Sequence, residues 1–325
     1  DVDFTNAKIF PQLDHAFAAL ADPTRLRIIA LLRRLELSVG EIAQVLGQSQ
    51  PRVSRHVKIL CDAGLAVRRK EGSWAFLAPG VPQRVDPLFR ALDSWQGEES
   101  ENHWIVADTA RLAAVHADRA AAAERYFAAH AAQWDAIRSL HVAESEVEAA
   151  MATALAEAPI GRLVDVGTGT GRMIELFGSA AKKAVGIDRS PEMLRLARAK
   201  LGALDLTAWE LRQGDLAALP VPDGQADTVI LHQVLHFIPD PESAIGELAR
   251  ILSPNGRLLI VDFAPHDREE LRDRDAHARL GFSDDQIAGW FATAGLECDL
   301  IENLQGGTLT VKLWRARKRR ESHLK

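Results

Sequence analysis

The sequence predicts a multidomain chain: an N-terminal α+β domain of short helices and a hairpin, a long helical linker, and a C-terminal α/β domain. Three observations predict it. The first ninety residues hold four short helical patterns followed by two alternating apolar runs. Residues 101–141 contain neither Gly nor Pro. Beyond residue 158, apolar strand-like runs alternate with helical patterns, and the first run leads into Gly167, Gly169 and Gly171. The expected boundaries are 1–96, 97–158 and 159–325.

In the first domain, Leu13, Phe17 and Leu20 form an i, i+4, i+7 stripe. Asp22 is placed to cap the next helix, with Pro23 at its first position, where the missing N–H is not needed. Leu26, Ile28, Ile29, Leu31 and Leu32 give that helix a broad apolar face. Ser38 and Glu41 form a capping box that starts a short helix ended by Gly47. Ser49 is expected to cap the following helix, which stops at Gly64. Two short helices joined by a few residues containing Gly have helix–turn–helix spacing. In the second of them Val53, Val57 and Leu60 form the buried stripe. Ser49, Gln50, Arg52, Ser54, Arg55 and Lys58 fall elsewhere, as side chains that suit base edges and phosphates in a major groove. A hairpin about Glu71–Gly72 carries Arg68, Arg69 and Lys70, a basic wing for phosphate contact.

"LADPTRLRIIALL" and "QSQPRVSRHVKILCDAGLAVRRKEG" make residues 11–80 resemble the ArsR/SmtB winged-helix repressors. The resemblance implies binding of double-stranded operator DNA and a homodimer built on helices near 11–21 and 85–95. Metal-sensing members carry cysteines where this chain has Ser38 and Val39, so no metal site is expected. Cys61 is read as a small core residue.

Charge divides in the same place. Residues 1–96 hold 13 Lys+Arg against 10 Asp+Glu, and the remainder holds 26 against 35, within a net charge of −6. A mildly basic domain beside an acidic one points to nucleic acid on one side only. Two distant cysteines give no disulfide framework or thiolate zinc site. No apolar run reaches the ~20 residues of a membrane span, and no signal-peptide pattern opens the chain. The expectation is a cytoplasmic protein. Alanine and mixed charge make 101–141 a strong helix former, and 142–158 continues as a second helix. The spacings of His103, His116, His130 and His141 are irregular, which argues for solvated side chains.

"GRLVDVGTGTGRMIELFG" reads as buried strand, glycine turn and helix. A dinucleotide fingerprint would place its third glycine where Arg172 stands. Asp165 at the strand end suits a cationic ligand with an amino group better than a diphosphate. A second apolar strand ends in Asp188, 21 residues after Gly167, where an acid can accept both hydroxyls of a ribose. Gly214 and Asp215 follow a third strand, and a carboxylate there can take a purine amine. "ADTVILHQVLHFIPDP" supplies a fourth strand, "LSPNGRLLIVDF" a fifth, and Ser283 caps a late helix. "ECDLIENL" and "GGTLTVKLWRARK" close as an antiparallel pair.

"VDVGTGTG", Asp188, "GDLAALP" and "LHQVLHFI" make residues 121–318 resemble the class I S-adenosylmethionine-dependent methyltransferases. The resemblance implies a Rossmann-like seven-stranded sheet with a reversed last strand. It implies S-adenosylmethionine or S-adenosylhomocysteine across the strand C-termini. Gly167 and Gly169 would pass close to the ligand's amino-acid part, with Asp165, Thr168 and Gly171 also among the cofactor-binding residues. Asp188 would hold the ribose, Asp215 with Leu216 the adenine, and His232 and Gln233 would lie at the sulfonium, with Arg189, Met193 and Gly214 also among the cofactor-binding residues. Trp134 would belong to a covering lid. His232 and His236 are the candidates for a base toward a small-molecule methyl acceptor. The box of amino-group methyltransferases acting on nucleic-acid bases is absent after the fourth strand, which disfavours base methylation. Arsenite methylation is disfavoured because it needs several cysteines. Two readings stay open: a regulator that senses the cofactor, and an active small-molecule methyltransferase that regulates its own operon.

Overall fold

A computed structural model of the 325-residue chain describes residues 11–34, 37–71, 74–96, 106–115, 117, 143–204, 206, 208–305 and 309–319. Its contacts divide the chain into two compact units, Asp1–Asp118 and Arg119–Lys325.

The first unit runs α1 (Pro11–Leu20), α2 (Pro23–Leu32), β1 (Leu37–Ser38), α3 (Val39–Leu46), α4 (Gln50–Asp62), β2 (Ala66–Glu71), β3 (Trp74–Pro79) and α5 (Pro82–Gln96). The Asp22 side chain accepts from the N–H groups of Thr24 and Arg25 and starts α2. Ser38 and Glu41 make the reciprocal capping box of α3, and Gly47 ends it in the left-handed conformation. Ile28, Ile29, Ile42, Val53, Val57 and Leu60 bury together, and α3 and α4 hang from that core at the expected spacing. β2 and β3 form the antiparallel wing, with β1 on its far edge.

Three details differ from expectation. Phe17 is 63% exposed, because α1 seats on the core through Ala16, Ala19 and Leu20, a phase that turns position 17 outward. Leu26 is likewise turned out of the core of α2. Ser49 occupies the cap position of α4, but its side chain makes no cap hydrogen bond.

Helical residues 106–115 (α6) belong to this unit. Leu112 and Val115 enter its core. Asp108 is buried and accepts from Arg27 Nε and Nη2, both at 2.6 Å. Arg111 donates to the Val45 carbonyl and Arg34 to Thr109 Oγ1. Apart from residue 117, the remainder of 101–141, including Trp134 and the four histidines, lies outside the described residues.

The second unit opens with α7 (Glu144–Leu155). It then alternates β4 (Gly161–Val166), α8 (Arg172–Phe177), β5 (Ala181–Asp188), α9 (Pro191–Gly202), β6 (Trp209–Gln213), β7 (Ala226–His232), α10 (Pro241–Ile251) and β8 (Leu252–Phe263). α11 (Glu270–Arg274), α12 (Asp284–Thr293), β9 (Leu296–Gln305) and β10 (Thr310–Lys318) complete it. The seven-stranded sheet has the order β6-β5-β4-β7-β8-β10-β9. β4, β5, β6, β7 and β8 run parallel, and β10 runs antiparallel to both β8 and β9, as expected. Residues alternate between two cores, Val164 and Val166 facing one and Leu163 the other. α10 and α12 cover the first face, with Ile245, Leu248, Ile287 and Phe291 buried against it. α7 and α8 cover the second through Met151, Met173 and Ile174. The strand order reverses between β4 and β7. Open α/β sheets bind ligands beyond the strand C-termini at such a point.

Candidate functional site

Beyond β4 the chain turns at Gly167, Gly169 and Gly171, all with positive φ (68°, 54° and 84°). A side chain at Gly167 would strike Val234 Cγ2 at 2.4 Å. The glycine turn is therefore laid against the segment that follows β7. Backbone N–H groups of Gly167 and Thr168 donate to the Ile187 carbonyl, which ties the turn to β5 as well. Asp165 is buried, and Thr168 Oγ1 donates to its Oδ2 at 2.5 Å.

Asp188 closes β5 beside this turn. Gly169 N–H donates to its Oδ2 at 2.8 Å and Ser190 N–H to its Oδ1 at 2.8 Å. Burial pushes the Asp188 carboxyl above the usual aspartate value of 3.8, and hydrogen bonds from the Ser190, Gly169 and Arg189 backbones oppose the rise. The Ser190 hydroxyl caps α9 by accepting from Met193 N–H, and Met193 is buried beneath the site. Gly214 N–H donates to the Asp188 carbonyl, which brings the third strand's turn alongside. Asp215 is exposed, accepts from Ala217 N–H at 2.9 Å and lies 3.7 Å from Arg189 Nε. Leu216 is buried next to it in sequence. Arg172 forks onto Glu148 at 2.6 and 2.8 Å and also pairs with Glu175. It anchors α8 to α7, and its guanidinium is committed there.

At the end of β7, His232 and Gln233 are both buried, and Gln233 holds a left-handed φ of 53°. A non-glycine residue in that conformation marks a segment held in place by its surroundings. Gln233 N–H donates to the Val261 carbonyl at 2.7 Å. His236, in a single 3₁₀ turn at Leu235–Phe237, is buried with its Nδ1 2.8 Å from Asp262 Oδ1. Asp262 also accepts from the backbone N–H groups of His236 and Phe263.

The structure thus gathers Asp165, the glycine turn, Asp188, Arg189, Met193, Gly214, Asp215, Leu216, His232 and Gln233 along one edge of the sheet. Asp262 and Ser190 were missed by sequence reasoning. Asp262 carried the same signal as Asp165 and Asp188, an acid at the end of an apolar strand.

These residues fit an S-adenosyl ligand. The glycine turn offers a cradle in which a side chain has no room. Asp188, partly buried and pinned through one lone pair on each oxygen, offers acceptors to a ribose diol. Asp215, exposed beside Arg189, offers a carboxylate to a purine amine. S-adenosylmethionine held there would supply an electrophilic methyl group, and the chain would hold and orient it.

The nucleic-acid face is built differently. Ser49, Gln50, Arg52, Ser54, Arg55 and Lys58 are all exposed on α4, opposite the buried Val53, Val57 and Leu60. Lys58 pairs with Asp62 at 2.7 Å. Arg68 is exposed on the wing; the side chains of Arg69 and Lys70 lie outside the described residues. Cys61 is half-buried against the core. Among the described residues no group of three His, Cys, Asp or Glu side chains could hold a metal ion, and no helix is long and apolar enough to cross a membrane.

Comparison with known proteins agrees with both halves. Residues 22–67 match the family of bacterial regulatory proteins of the arsR type, and residues 164–260 match a methyltransferase domain. The arsenic resistance transcriptional regulator ArsR1 of Pseudomonas putida is 38% identical over 100 residues, 30% of this chain and 74% of that protein. The demethylmenaquinone methyltransferase of Deinococcus radiodurans is 38% identical over 153 residues, 46% of this chain. The chain spans 63% of that relative's length. A chain in the complex between the Haloferax volcanii Trm112 methyltransferase activator and a methyltransferase superposes with TM-score 0.50 at 22% identity, covering 60% of this chain and 98% of that one. That likeness shows the fold.

The molecule is therefore a winged helix-turn-helix DNA-binding domain fused to a domain of the methyltransferase fold. The chain belongs to the ArsR family of bacterial regulatory proteins.

Proposed function

We propose that the protein is a cytoplasmic, homodimeric transcriptional regulator. In this reading its C-terminal domain binds S-adenosylmethionine or S-adenosylhomocysteine and adjusts operator affinity accordingly. The observation that carries it is the Asp188 carboxylate, pinned by Gly169 and Ser190 beside a glycine cradle. It stands in the same chain as an α4 face whose polar side chains are exposed and ready for DNA. The dimer would pair through α1, on which Phe17 is 63% exposed. A ligand shifts DNA binding only through different affinities for the two states of the dimer. Calorimetric titration with both ligands, with and without palindromic DNA from the protein's own promoter, tests this reading. Cofactor binding coupled to a change in DNA affinity is the expected result. Unchanged DNA affinity at saturating ligand would remove the sensor. A second reading, methylation of a small molecule, is favoured by one observation, the buried His236–Asp262 pair beyond β7.

A further inference from the structure

Four stretches of chain meet beyond the ends of β7 and β8: the 3₁₀ turn at Leu235–Phe237, Asp262–Phe263, the residues around His266, and the segment His277–Arg279. The His236 ring centroid lies 4.2 Å from that of His277, 4.0 Å from Phe237 and 5.0 Å from Phe263. Phe263 stacks on His277 at 16° between planes and meets His266 edge-on. Arg279 N–H donates to the His236 carbonyl at 3.0 Å, and its side chain is 1% exposed. The returning segment is held close by Gly281, whose φ of 83° leaves only 2.1 Å between a built Cβ and the Ala264 carbonyl oxygen.

A core needs none of this polarity. Two phenyl rings, three imidazoles, a buried carboxylate and a buried guanidinium are an expensive way to fill space. They sit beside the segment that presses on Gly167. A carboxylate bonded to Nδ1 fixes the imidazole with Nδ1 protonated and Nε2 as the lone-pair nitrogen, and it stabilises the imidazolium that forms when Nε2 takes a proton. Phe237 and Phe263 pack on the imidazoles of His236 and His277, and an aromatic surface of this kind suits a flat ligand.

We propose that the His236–Asp262 pair is a general base toward a hydroxyl-bearing aromatic acceptor that meets this aromatic surface. The acceptor's O–H bond breaks, its proton forms a new bond to His236 Nε2, and the electron pair stays on the acceptor oxygen as the nucleophile. The titratable groups packed against His236 are Asp262 on β8 and His277 on the returning segment, with His266 beyond His277, and the nearby Arg279 guanidinium donates to the Pro239 carbonyl. The inference rests on the methyltransferase reading of this domain and deepens it by naming an acceptor class.

The test uses the full chain saturated with S-adenosylhomocysteine and titrated with 4-nitrophenol, whose ionised form is read by visible absorbance. The expected result is a bound probe that ionises about one pH unit or more below the free probe. His236→Gln abolishes that shift while calorimetry still detects S-adenosylhomocysteine. Asp262→Asn, which keeps the shape of the side chain, reduces the shift. A purely structural role for the pair would move thermal stability without moving the probe's ionisation. An unshifted probe in the wild type, a shift retained in His236→Gln, or no probe binding by a chain that binds S-adenosylhomocysteine would each overturn the base and leave the cofactor reading standing. Failure to bind S-adenosylhomocysteine would overturn both.

Discussion

The α4 face and the C-terminal edge of the sheet both present polar side chains to a ligand, but they hold them in opposite ways. On α4, Arg52, Ser54 and Arg55 extend into solvent from a helix whose other side is fixed by Val53, Val57 and Leu60. Along the sheet edge, Asp165 and Asp188 are drawn back from solvent and pinned, one by Thr168 and the other by two backbone N–H groups. A long polyanion can be met by side chains that adjust on contact, because counterion release carries much of the affinity. A small ligand gives fewer contacts, so each has to be in position beforehand. In the proposed reading, recognition of DNA rests on which residues are exposed, and recognition of the cofactor on which are constrained.

The largest test of that contrast is Gly167→Ala. A side chain there is strained at φ 68° and meets Val234 at 2.4 Å. Left-handed backbone costs about 1–2 kcal/mol and overpacking about 1–3 more. The expected loss is therefore about 2–5 kcal/mol from the C-terminal unit, with cofactor binding lost too. Thermal unfolding should show the transition of that unit moving down and DNA binding by the first unit kept. A variant that melts like the wild type would show that the cradle is slack.

Next comes Asp188→Asn. Charge-assisted hydrogen bonds contribute about 1.5–3 kcal/mol, so cofactor affinity should fall about ten- to hundredfold in calorimetry. A pH series sharpens this. A ribose diol donates to the ionised carboxylate, so wild-type affinity is full above the Asp188 pKa and declines as pH falls through it. Burial has moved that pKa above 3.8, so the decline begins at a higher pH than for an ordinary aspartate. The Asn variant should be flat over the same range. Equal pH profiles would remove Asp188 from the binding step.

On the other face, Arg55→Ala should weaken specific operator binding by about 1–3 kcal/mol while leaving binding to unrelated DNA nearly unchanged. Lys58→Ala should do less, because Lys58 is already committed to Asp62 at 2.7 Å. Fluorescence anisotropy at fixed salt separates the two. An equal loss from both would mean that α4 contributes charge alone.

The contrast also explains what the sequence made legible. Exposed recognition residues follow from helix phase, and the phase of α4 was fixed by three apolar positions. The acids at the strand ends followed from the abrupt end of each apolar run. Phase failed at Phe17 and Leu26, since hydrophobicity alone does not separate a side chain facing the core from one facing solvent or a partner. The docking of α6 was hidden for another reason. The Arg27–Asp108 pair joins residues far apart in the chain, and no local pattern announces it. Asp262 was visible by the rule that found Asp165 and Asp188, but its meaning depended on His236, which tertiary packing alone brings to it.

The smallest effects separate two serines that read alike in sequence. Ser38 accepts from Glu41 N–H and belongs to a complete capping box, so Ser38→Ala should cost about 0.5–2 kcal/mol of stability in the first unit. Ser49 holds the equivalent position on α4 with no cap bond from its side chain. Ser49→Ala should therefore change stability by less than about 0.5 kcal/mol, as for a surface site with no special role. Its exposed hydroxyl stands at the start of the reading helix, so the same substitution should still weaken operator binding measurably. Urea unfolding and operator titration on both variants give four numbers. The predicted pattern is crossed, stability lost at Ser38 and DNA affinity lost at Ser49. If Ser49→Ala instead destabilises the unit as Ser38→Ala does, its hydroxyl caps α4 in solution, and the reading face begins one turn later than proposed.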